Sequence, residues 1–321
     1  MTAAGHAPIA ASVAPTIAAT VAPTIAPTIA PSAPAISILL PAWNAEQTLG
    51  VALCSLLSQT YTDFEILLLD DGSTDGTVGV AEAFADARLR VISDGRRMGL
   101  ARRLNLGIEQ ARGRYIARMD ADDVSFPERF ARQVAFLDTH PQIDLVGCRA
   151  VAFRSDDEIL GMLPFAGTHE AMCARPWRGI PLPHPGWMGR REWFVRHRYG
   201  LPEVMRAEDQ ELLLRTHKTS RFACLDEVLL GYRQGQFNLR KTLLARRCLL
   251  AAQIKYFLKE GEVGYAAAAL ALTAARVAVD VLAALPRADR LYFVRMSECA
   301  PLEAVQTLHH SLRSCAAAAR T

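Results

Sequence analysis

The chain has 321 residues, of which 51% are hydrophobic and 21% are charged, and its formal net charge is +3. This composition excludes fibrous, collagen-like and wholly disordered proteins, and the length suits one large domain with an extension, or two domains. The near-neutral balance argues against a nucleic-acid-binding surface. The seven cysteines include no Cys-x-x-Cys pair, which argues against a disulfide framework and a zinc site and favours reduced, cytoplasmic thiols.

Residues 1–35 form a low-complexity segment of Ala, Pro and Thr without a single charged residue. Such a segment cannot bury enough apolar surface to offset the entropy of ordering it, and its frequent prolines oppose a helix. It also lacks the basic start and compact apolar stretch of a signal peptide. We therefore expect a disordered tail over 1–35.

From Ile36 onward, short apolar runs alternate with segments of helical periodicity. This alternation predicts an α/β fold built on a mostly parallel, three-layer sheet, in which ligands bind beyond the carboxyl ends of the strands. The pattern predicts strands at 36–40, 64–70, 89–92, 115–119 and 143–147, and helices at 46–58, 76–85, 99–113 and about 127–138.

Residues 236–321 form a helical, Ala-, Leu- and Arg-rich extension with 12 Lys and Arg against six Asp and Glu. The most apolar stretch, 263–285, contains Arg276 and Asp280, so we predict a soluble or surface-lying helix there rather than a membrane span. The basic extension would allow peripheral contact with an anionic membrane surface. The predicted organisation is thus a tail over 1–35, an α/β domain over 36–235 and an extension over 236–321.

The sequence Arg-Met-Asp-Ala-Asp-Asp at 118–123 follows an apolar strand and precedes a helix. Three carboxylates in four residues repel one another unless solvent or a cation accommodates them. Oxygen ligands of this kind suit Mg²⁺ or Mn²⁺, which would also contact a diphosphate. Asp120 and Asp122 are therefore candidate metal ligands, and a solvated acidic turn is the alternative.

Two further strand ends carry candidate ligand-binding residues. Asp71 lies in the sequence DDGSTDGT at 70–77, where a carboxylate can accept hydrogen bonds from a base or ribose, although the same residues also make ordinary turns. Pro41, Trp43 and Asn44 follow the first strand, and the Trp43 ring offers a face on which a base can stack, or it packs as a structural aromatic.

Other candidates lie on helices or in loops. Asp209, in the sequence AEDQELLLR, is either a general base or an acid that favours a helix N-terminus. Arg102 and its neighbour Arg103 lie on the helix after the third strand and would face a diphosphate or solvent. His184, between two prolines, is interpreted as a structural residue.

Taken together and in this order, the sequences ISILLPAWNAEQTLG, FEILLLDDGSTDGT, YIARMDADD, HPGWMGRR and AEDQELLLR closely resemble family 2 inverting glycosyltransferases of the GT-A (Rossmann-like) fold. The resemblance covers about 36–235. It implies that Pro41–Asn44 and Asp71 hold the nucleotide base, that Asp120 and Asp122 bind a divalent metal and the donor diphosphate, and that Asp209 is the catalytic base. The family usually has Tyr where Trp43 stands, and no Q-x-x-R-W motif follows, which argues against a processive polysaccharide synthase.

The resemblance implies transfer of a sugar, with inversion, from a nucleotide diphosphate sugar to an acceptor hydroxyl. Donor, acceptor and linkage stay open; a UDP-sugar is preferred because a strand-end Asp can read uracil, and the acceptor would be a glycan or a lipid-linked glycan of the cell envelope. The expected location is the cytoplasm or the inner face of the membrane. The alternatives are a sugar-phosphate nucleotidyltransferase, which usually has a Gly-rich basic loop after its first strand, and a non-catalytic nucleotide-sugar-binding module.

Overall fold

The computed structural model describes residues 33–155, 158–201, 206–285, 288, 290–296 and 298–318. Residues 33–321 group as one compact unit. The predicted tail therefore lies outside the described residues except for its last three, and the boundary proposed at 235/236 stays a prediction. The helices and strands are β1 Ile36–Ala42, α1 Glu46–Leu57, β2 Phe64–Asp70, α2 Thr77–Ala83, β3 Leu89–Ile92, α3 Leu100–Gln110, β4 Tyr115–Arg118, β5 Val124–Ser125, α4 Arg129–Thr139, β6 Leu145–Phe153, β7 Ile159–Met162, α5 His169–Cys173, β8 Met188–Arg190, α6 Arg191–Arg196, α7 Glu208–Thr216, β9 Phe222–Arg233, α8 Leu239–Lys259, α9 Val263–Ala283, α10 Arg290–Phe293 and α11 Leu302–Ala318.

The described strands form a single sheet in the order β3-β2-β1-β4-β8-β6-β9-β5, with β7 paired to β6. The pairs β1–β2, β1–β4, β2–β3 and β6–β9 are parallel, and β8 is antiparallel to both of its neighbours, β4 and β6. Strands β1, β2, β3, β4, β6 and β9 therefore run in one direction, and the predicted mostly parallel sheet is confirmed. The short strands β5, β7 and β8 and the 12-residue strand β9 were not predicted.

Both faces of the sheet are covered, as three layers require. Along β1, Ile38 and Leu40 pack into one core with Leu53 and Phe130, from helices α1 and α4. The intervening Leu39 points into a second core. Because successive side chains of a strand alternate between its faces, an apolar run such as Ile36–Leu40 is stable only when both faces are buried.

Gly113, in the turn between α3 and β4, allows the close approach of two backbone segments. A Cβ atom at this position would lie 2.5 Å from the Ser37 nitrogen and 2.7 Å from the Ile36 carbonyl carbon. The Ser37 hydroxyl accepts the Gly113 N–H at 2.8 Å. A side chain here would therefore push β4 away from β1, whose carboxyl ends form the edge described below.

The C-terminal helices pack on the α/β part as predicted for a helical extension. Helix α8 contacts α7, and α9 contacts α8 and a 3₁₀ turn at Pro176–Arg178. Helix α11 contacts α1, and its Leu308 and Leu312 join a cluster with Val124, Phe126 and Phe153. Among the described helices, Val263–Ala283 is long and apolar enough to cross a membrane, and 22% of its most apolar 18-residue stretch is buried against the rest of the protein.

Candidate functional site

An open cleft of about 1870 Å³ lies where the carboxyl ends of β1, β2 and β4 meet. Parallel strands bring the residues that follow them to one edge of the sheet. The cleft wall therefore includes Pro41 near the end of β1 and Trp43 after it, Asp71 after β2 and Asp120 after β4. Helix α7 adds Glu208 and Asp209. Five of the eight predicted site residues line this cleft: Pro41, Trp43, Asp71, Asp120 and Asp209.

The Trp43 side chain lines the cleft and stays partly exposed, with an arginine stacked on its ring. Its side chain is 46% exposed, and the Arg97 guanidinium lies over its ring, 3.7 Å from the centroid. The next residue, Asn44, adopts a left-handed backbone conformation with φ 50°, which Asn tolerates better than most residues. Asn44 does not line the cleft; its side-chain oxygen accepts the Thr74 N–H at 2.9 Å and so braces the loop after β1 against the turn after β2.

Asp71 braces the loop that precedes α3. Its Oδ1 accepts the backbone N–H groups of Met98 at 2.7 Å and Gly99 at 3.0 Å, and the Arg103 Nε lies 3.1 Å away. Arg103 is fully buried and also contacts Asp94 at 2.6 Å. The Asp71 carboxylate is thus fixed in place while 13% of its side chain stays open to the cleft.

The structure places Arg103, and not Arg102, in the cleft wall. Adjacent helical residues point about 100° apart, so α3 turns Arg103 inward and leaves Arg102 exposed to solvent. The prediction of a diphosphate contact for Arg102 is therefore corrected: its side chain does not face this cleft.

Asp120, Asp122 and Asp123 form a compact carboxylate cluster. One carboxylate oxygen from each lies within 4.8 Å of the others. Asp123 is buried; its Oδ1 accepts the Arg233 N–H at 2.7 Å, and its Oδ2 has no hydrogen-bond partner in the described part of the chain. Desolvation by the surrounding protein, and then the charge of Asp120, raise the pKa of Asp122 to about 6. By its accessible surface, however, Asp122 is an exposed residue. A set of mutually repelling oxygen donors with one unpartnered buried oxygen fits a hard divalent cation.

Glu208 and Asp209 begin helix α7 on a strained turn. Ala207 adopts a left-handed conformation with φ 72° and ψ 30°, which costs a residue with a side chain about 1–2 kcal/mol. Gln210 is fixed to the Ile180 backbone by two hydrogen bonds, at 2.9 and 3.1 Å, and its Nε2 lies 3.4 Å from Asp209 Oδ2. The strain and the bracing together aim the two carboxylates at the cleft.

The two carboxylates differ in their ionisation. Burial, and then the charge of Asp209, raise the pKa of Glu208 to about 8. Burial also raises the pKa of Asp209, while hydrogen bonds from Gln210 and the charge of Arg118 oppose that increase. Asp209 also starts from a lower ordinary pKa, 3.8 against 4.5. Glu208 therefore keeps its proton at neutral pH, and the hydrogen bonds from Gln210 and the charge of Arg118 favour the ionised form of Asp209.

Arg118, the last residue of β4, is a cleft residue that the sequence motifs did not single out. It is 2% exposed, it pairs with Asp120, and its Nε has no hydrogen-bond partner among the described residues. Its charge opposes the increase in pKa of Asp122, Glu208 and Asp209. The available signal in the sequence was an arginine at the end of an otherwise apolar strand, two residues before the first of three acids.

His184 is buried, as its structural interpretation requires. Its Nε2 lies 2.7 Å from the Tyr199 hydroxyl, and its Nδ1 lies 3.9 Å from a Glu208 oxygen. Burial holds the pKa of His184 well below its usual range. With His184 neutral and Glu208 protonated, this contact is not an ion pair at neutral pH.

Comparison with known proteins adds the family context. Residues 37–198 match the model of the family described as glycosyl transferase family 2. EpsE of Bacillus subtilis (strain 168) is 41% identical over 125 residues, 38% of this chain and 45% of EpsE. Escherichia coli WfgD, named as a UDP-Glc:alpha-D-GlcNAc-diphosphoundecaprenol beta-1,3-glucosyltransferase, is 33% identical over 102 residues, 32% of this chain and 40% of WfgD. The chain thus spans less than half the length of these two relatives.

Solved structures resemble the fold at lower identity. Residues 1–349 of S. aureus TarS superpose with a TM-score of 0.55 at 17% identity, over 88% of this chain and 91% of that one. Glucosyl-3-phosphoglycerate synthase from Mycobacterium tuberculosis, in complex with Mn²⁺, UDP and phosphoglyceric acid, gives a TM-score of 0.51 at 23% identity, over 70% of this chain and 78% of that one. These likenesses confirm the predicted GT-A fold.

Proposed function

The chain belongs to glycosyl transferase family 2, and from this premise we propose that it transfers a sugar from a nucleotide diphosphate sugar to an acceptor hydroxyl, with inversion at the anomeric carbon. The observation that carries the proposal is the convergence of Asp71, Asp120 and Asp209 on the wall of one cleft. These residues are far apart in the sequence, and each supplies one of the three functions that the reaction needs: base binding, diphosphate binding and proton removal.

The donor base would lie between Trp43 and Asp71. An exposed aromatic face with a cation already stacked on it suits a planar base, and base–aromatic stacking is worth about 1–3 kcal/mol. We propose uracil as the base, because the fixed Asp71 carboxylate can accept a hydrogen bond from its ring N–H. The Escherichia coli and Mycobacterium tuberculosis relatives, whose names include UDP, support this choice.

The diphosphate would lie beside the carboxylate cluster. Asp120 and Asp122 would hold Mg²⁺ or Mn²⁺, with Asp123 behind them; the bound ion supplies Lewis-acid stabilisation of the leaving diphosphate. Arg118 adds a fixed positive charge beside Asp120. Because it is buried and already ordered, Arg118 can stabilise developing negative charge without reorganising.

Asp209 would act as the general base. The acceptor oxygen forms its bond to the anomeric carbon as the bond to the diphosphate oxygen breaks, and Asp209 takes the acceptor proton. The attack comes from the face opposite the leaving group, so the configuration inverts. The protonated Glu208 cannot compete for that proton at neutral pH.

Product analysis tests the proposal. The full chain is incubated with UDP-, GDP- and dTDP-sugars and Mn²⁺, and the released nucleotide is identified. Release of a nucleoside diphosphate supports a glycosyltransferase. Formation of a nucleotide sugar from a sugar phosphate and a nucleoside triphosphate, with pyrophosphate, would instead identify a nucleotidyltransferase. Binding without any turnover would identify a binding module.

We further propose that the protein acts in cell-envelope glycan synthesis, at the cytoplasmic face of the membrane. Helix α9 carries the exposed apolar side chains Val263, Leu270 and Val281, and their spacings of seven and eleven residues place them on one face of the helix. The exposed Leu285 follows two residues after the helix ends. The extension that carries this stripe is basic, which suits an anionic lipid surface.

Flotation with vesicles of phosphatidylglycerol and phosphatidylethanolamine tests the contact. We expect the full chain to float and a Leu270→Glu, Val281→Glu double variant to stay in the dense fraction, since two buried carboxylates would oppose insertion. Val195→Glu, at an exposed apolar position of α6, is the control. Equal flotation of all three proteins would remove the membrane proposal.

A further inference from the structure

The wall of the cleft on the side of the C-terminal helices is rich in arginine. Asp280 is the one acid among the described lining residues of the 3₁₀ turn, α8 and α9, while Glu208 and Asp209 follow Arg206 at the start of α7. Five arginines contribute to the wall from four parts of the chain. They are Arg175 and Arg178 at the 3₁₀ turn, Arg206 before α7, Arg246 on α8 and Arg276 on α9.

Two of these arginines are fixed by the protein. Arg246 makes a two-pronged ion pair with Asp280, at 2.9 and 3.1 Å, and the Asp280 carboxylate is buried. Arg276 donates from both terminal nitrogens to the Arg178 carbonyl oxygen, each at 3.2 Å. These contacts tie α8 to α9 and tie α9 to the 3₁₀ turn, so the wall is rigid on this side.

The other three arginines are not neutralised within the described part of the chain. The side chains of Arg175, Arg178 and Arg206 are exposed, and no described carboxylate lies within ion-pairing distance of them. Three like charges gathered at one wall repel one another, and an anion bound among them would relieve that repulsion. Guanidinium groups match the geometry of phosphate oxygens in particular.

On the basis of the proposed function, we propose that this arginine wall is an acceptor site that binds a phosphate or diphosphate group of the acceptor. The donor diphosphate is already provided for by the carboxylate cluster and Arg118. Arg206 lies three residues before Asp209 in the sequence, so an anion held there places the attached acceptor sugar beside the proposed base.

Two further features agree with an acceptor role. The segment that matches the family model ends at residue 198, so Arg206, Arg246 and Arg276 belong to a part of the chain outside that match. Leu249 and Val279 line the same wall, and Val279 is 44% exposed. The wall thus offers apolar surface next to its positive charge, which suits a phosphate carried on a lipid as well as a soluble phosphate.

Calorimetry on the full chain, saturated with UDP and Mg²⁺, tests the site while the donor site is occupied. The probes are geranyl diphosphate, inorganic pyrophosphate and geraniol. The variants are an Arg175→Gln, Arg178→Gln, Arg206→Gln triple variant and the control Arg247→Gln, which changes an exposed arginine of α8 outside the cleft. UDP affinity, measured first in each protein, reports whether the fold and the donor site are intact.

We expect geranyl diphosphate to bind the UDP-loaded chain, the triple variant to bind it at least tenfold more weakly, and Arg247→Gln to bind it normally. If pyrophosphate binds as tightly as geranyl diphosphate, the acceptor is a soluble phosphorylated molecule. If pyrophosphate binds much more weakly than geranyl diphosphate, the acceptor is a lipid diphosphate. Either result supports the site. Geraniol binding as tightly, or no loss in the triple variant, would overturn it. If UDP itself does not bind, the proposed function fails, and the same probes on the unloaded chain still decide whether the arginine wall binds anions.

Discussion

Replacing Asp209 with Asn should lower activity and raise stability at the same time. The amide has nearly the same shape and can still accept the Gln210 side-chain hydrogen bond, but it cannot take a proton. Positioned general bases contribute about 10²–10⁴ to rate, or about 3–5 kcal/mol of transition-state stabilisation. We therefore expect the turnover number to fall by about that factor while UDP-sugar affinity stays within threefold.

The stability change follows from the raised pKa of Asp209. The folded chain holds this proton more tightly than the unfolded chain, so stability is lost as pH rises from the ordinary value through the higher folded-state pKa. At pH 7 the wild type carries the cost of an ionised, buried carboxylate and the Asn variant does not. The melting temperature of the variant should therefore exceed that of the wild type at pH 7, and the difference should shrink towards pH 4.

Glu208→Gln is the matched control on the same helical turn. Because the pKa of Glu208 is raised to about 8, Gln resembles its form at pH 7, and turnover there should fall less than tenfold. Steady-state kinetics at saturating donor, with thermal melts from pH 4 to 8, measure both effects. Near-normal turnover in Asp209→Asn, or an equal loss in Glu208→Gln at pH 7, would refute the assignment of the base.

Four further changes address other parts of the molecule. Chelation with EDTA should abolish turnover and Mn²⁺ or Mg²⁺ should restore it, whereas Asp122→Asn should raise the metal concentration needed at least tenfold; full activity in EDTA would remove the metal. Trp43→Ala should raise the KM for the donor by about tenfold, the equivalent of about 1–3 kcal/mol of stacking, with Trp43→Phe close to wild type as the comparison. Arg103→Met should lower the free energy of unfolding by about 3–5 kcal/mol, because it leaves Asp71 without its buried partner; urea titration measures the loss, and an unchanged midpoint would contradict it. Gly113→Ala should destabilise by about 1–3 kcal/mol through overpacking against β1, seen as a lower urea midpoint at an unchanged slope.

The sequence predicted the local elements well where one physical signal dominated. The five strands with apolar runs and the helices between them occur within a few residues of their predicted bounds, since both sheet faces are buried and the runs are continuous. The strands it missed lacked such a signal. Strands β5 and β8 have two and three residues, and β9, with 12 residues, is interrupted in its middle by the exposed acids Asp226 and Glu227. Their pairing is decided by distant partners, Leu230 and Gly231 for β5 and the β4 and β6 strands for β8.

The site residues also divide into those placed by a local signal in the sequence and those whose position depends on distant parts of the chain. Trp43, Asp71 and Asp120 follow strand ends and Pro41 is the last residue but one of β1, so the rule for parallel sheets was enough to place them at one edge. Arg102 failed because choosing between adjacent arginines requires the phase of α3, which its short apolar pattern does not fix to one residue. Asn44 was placed in the correct loop, but its side chain points to the neighbouring turn, where it accepts hydrogen bonds from the backbone N–H and the hydroxyl of Thr74.

Arg118 shows what the sequence could not provide, namely the balance of charge inside the cleft. Asp120, Glu208 and Asp209 line the cleft, and the exposed Asp122 lies beside Asp120. Repulsion from neighbouring carboxylates contributes to the raised pKa values of Asp122 and Glu208. The buried guanidinium opposes this for the carboxylates on both sides of the cleft. Arg118 pairs with Asp120 and also lowers the pKa of Asp209, so one side chain acts both where the donor diphosphate would bind and where the proton would be removed. A buried arginine here costs desolvation energy, and under the proposed function that cost is offset because the arginine favours the ionised form of the base next to an acidic cluster.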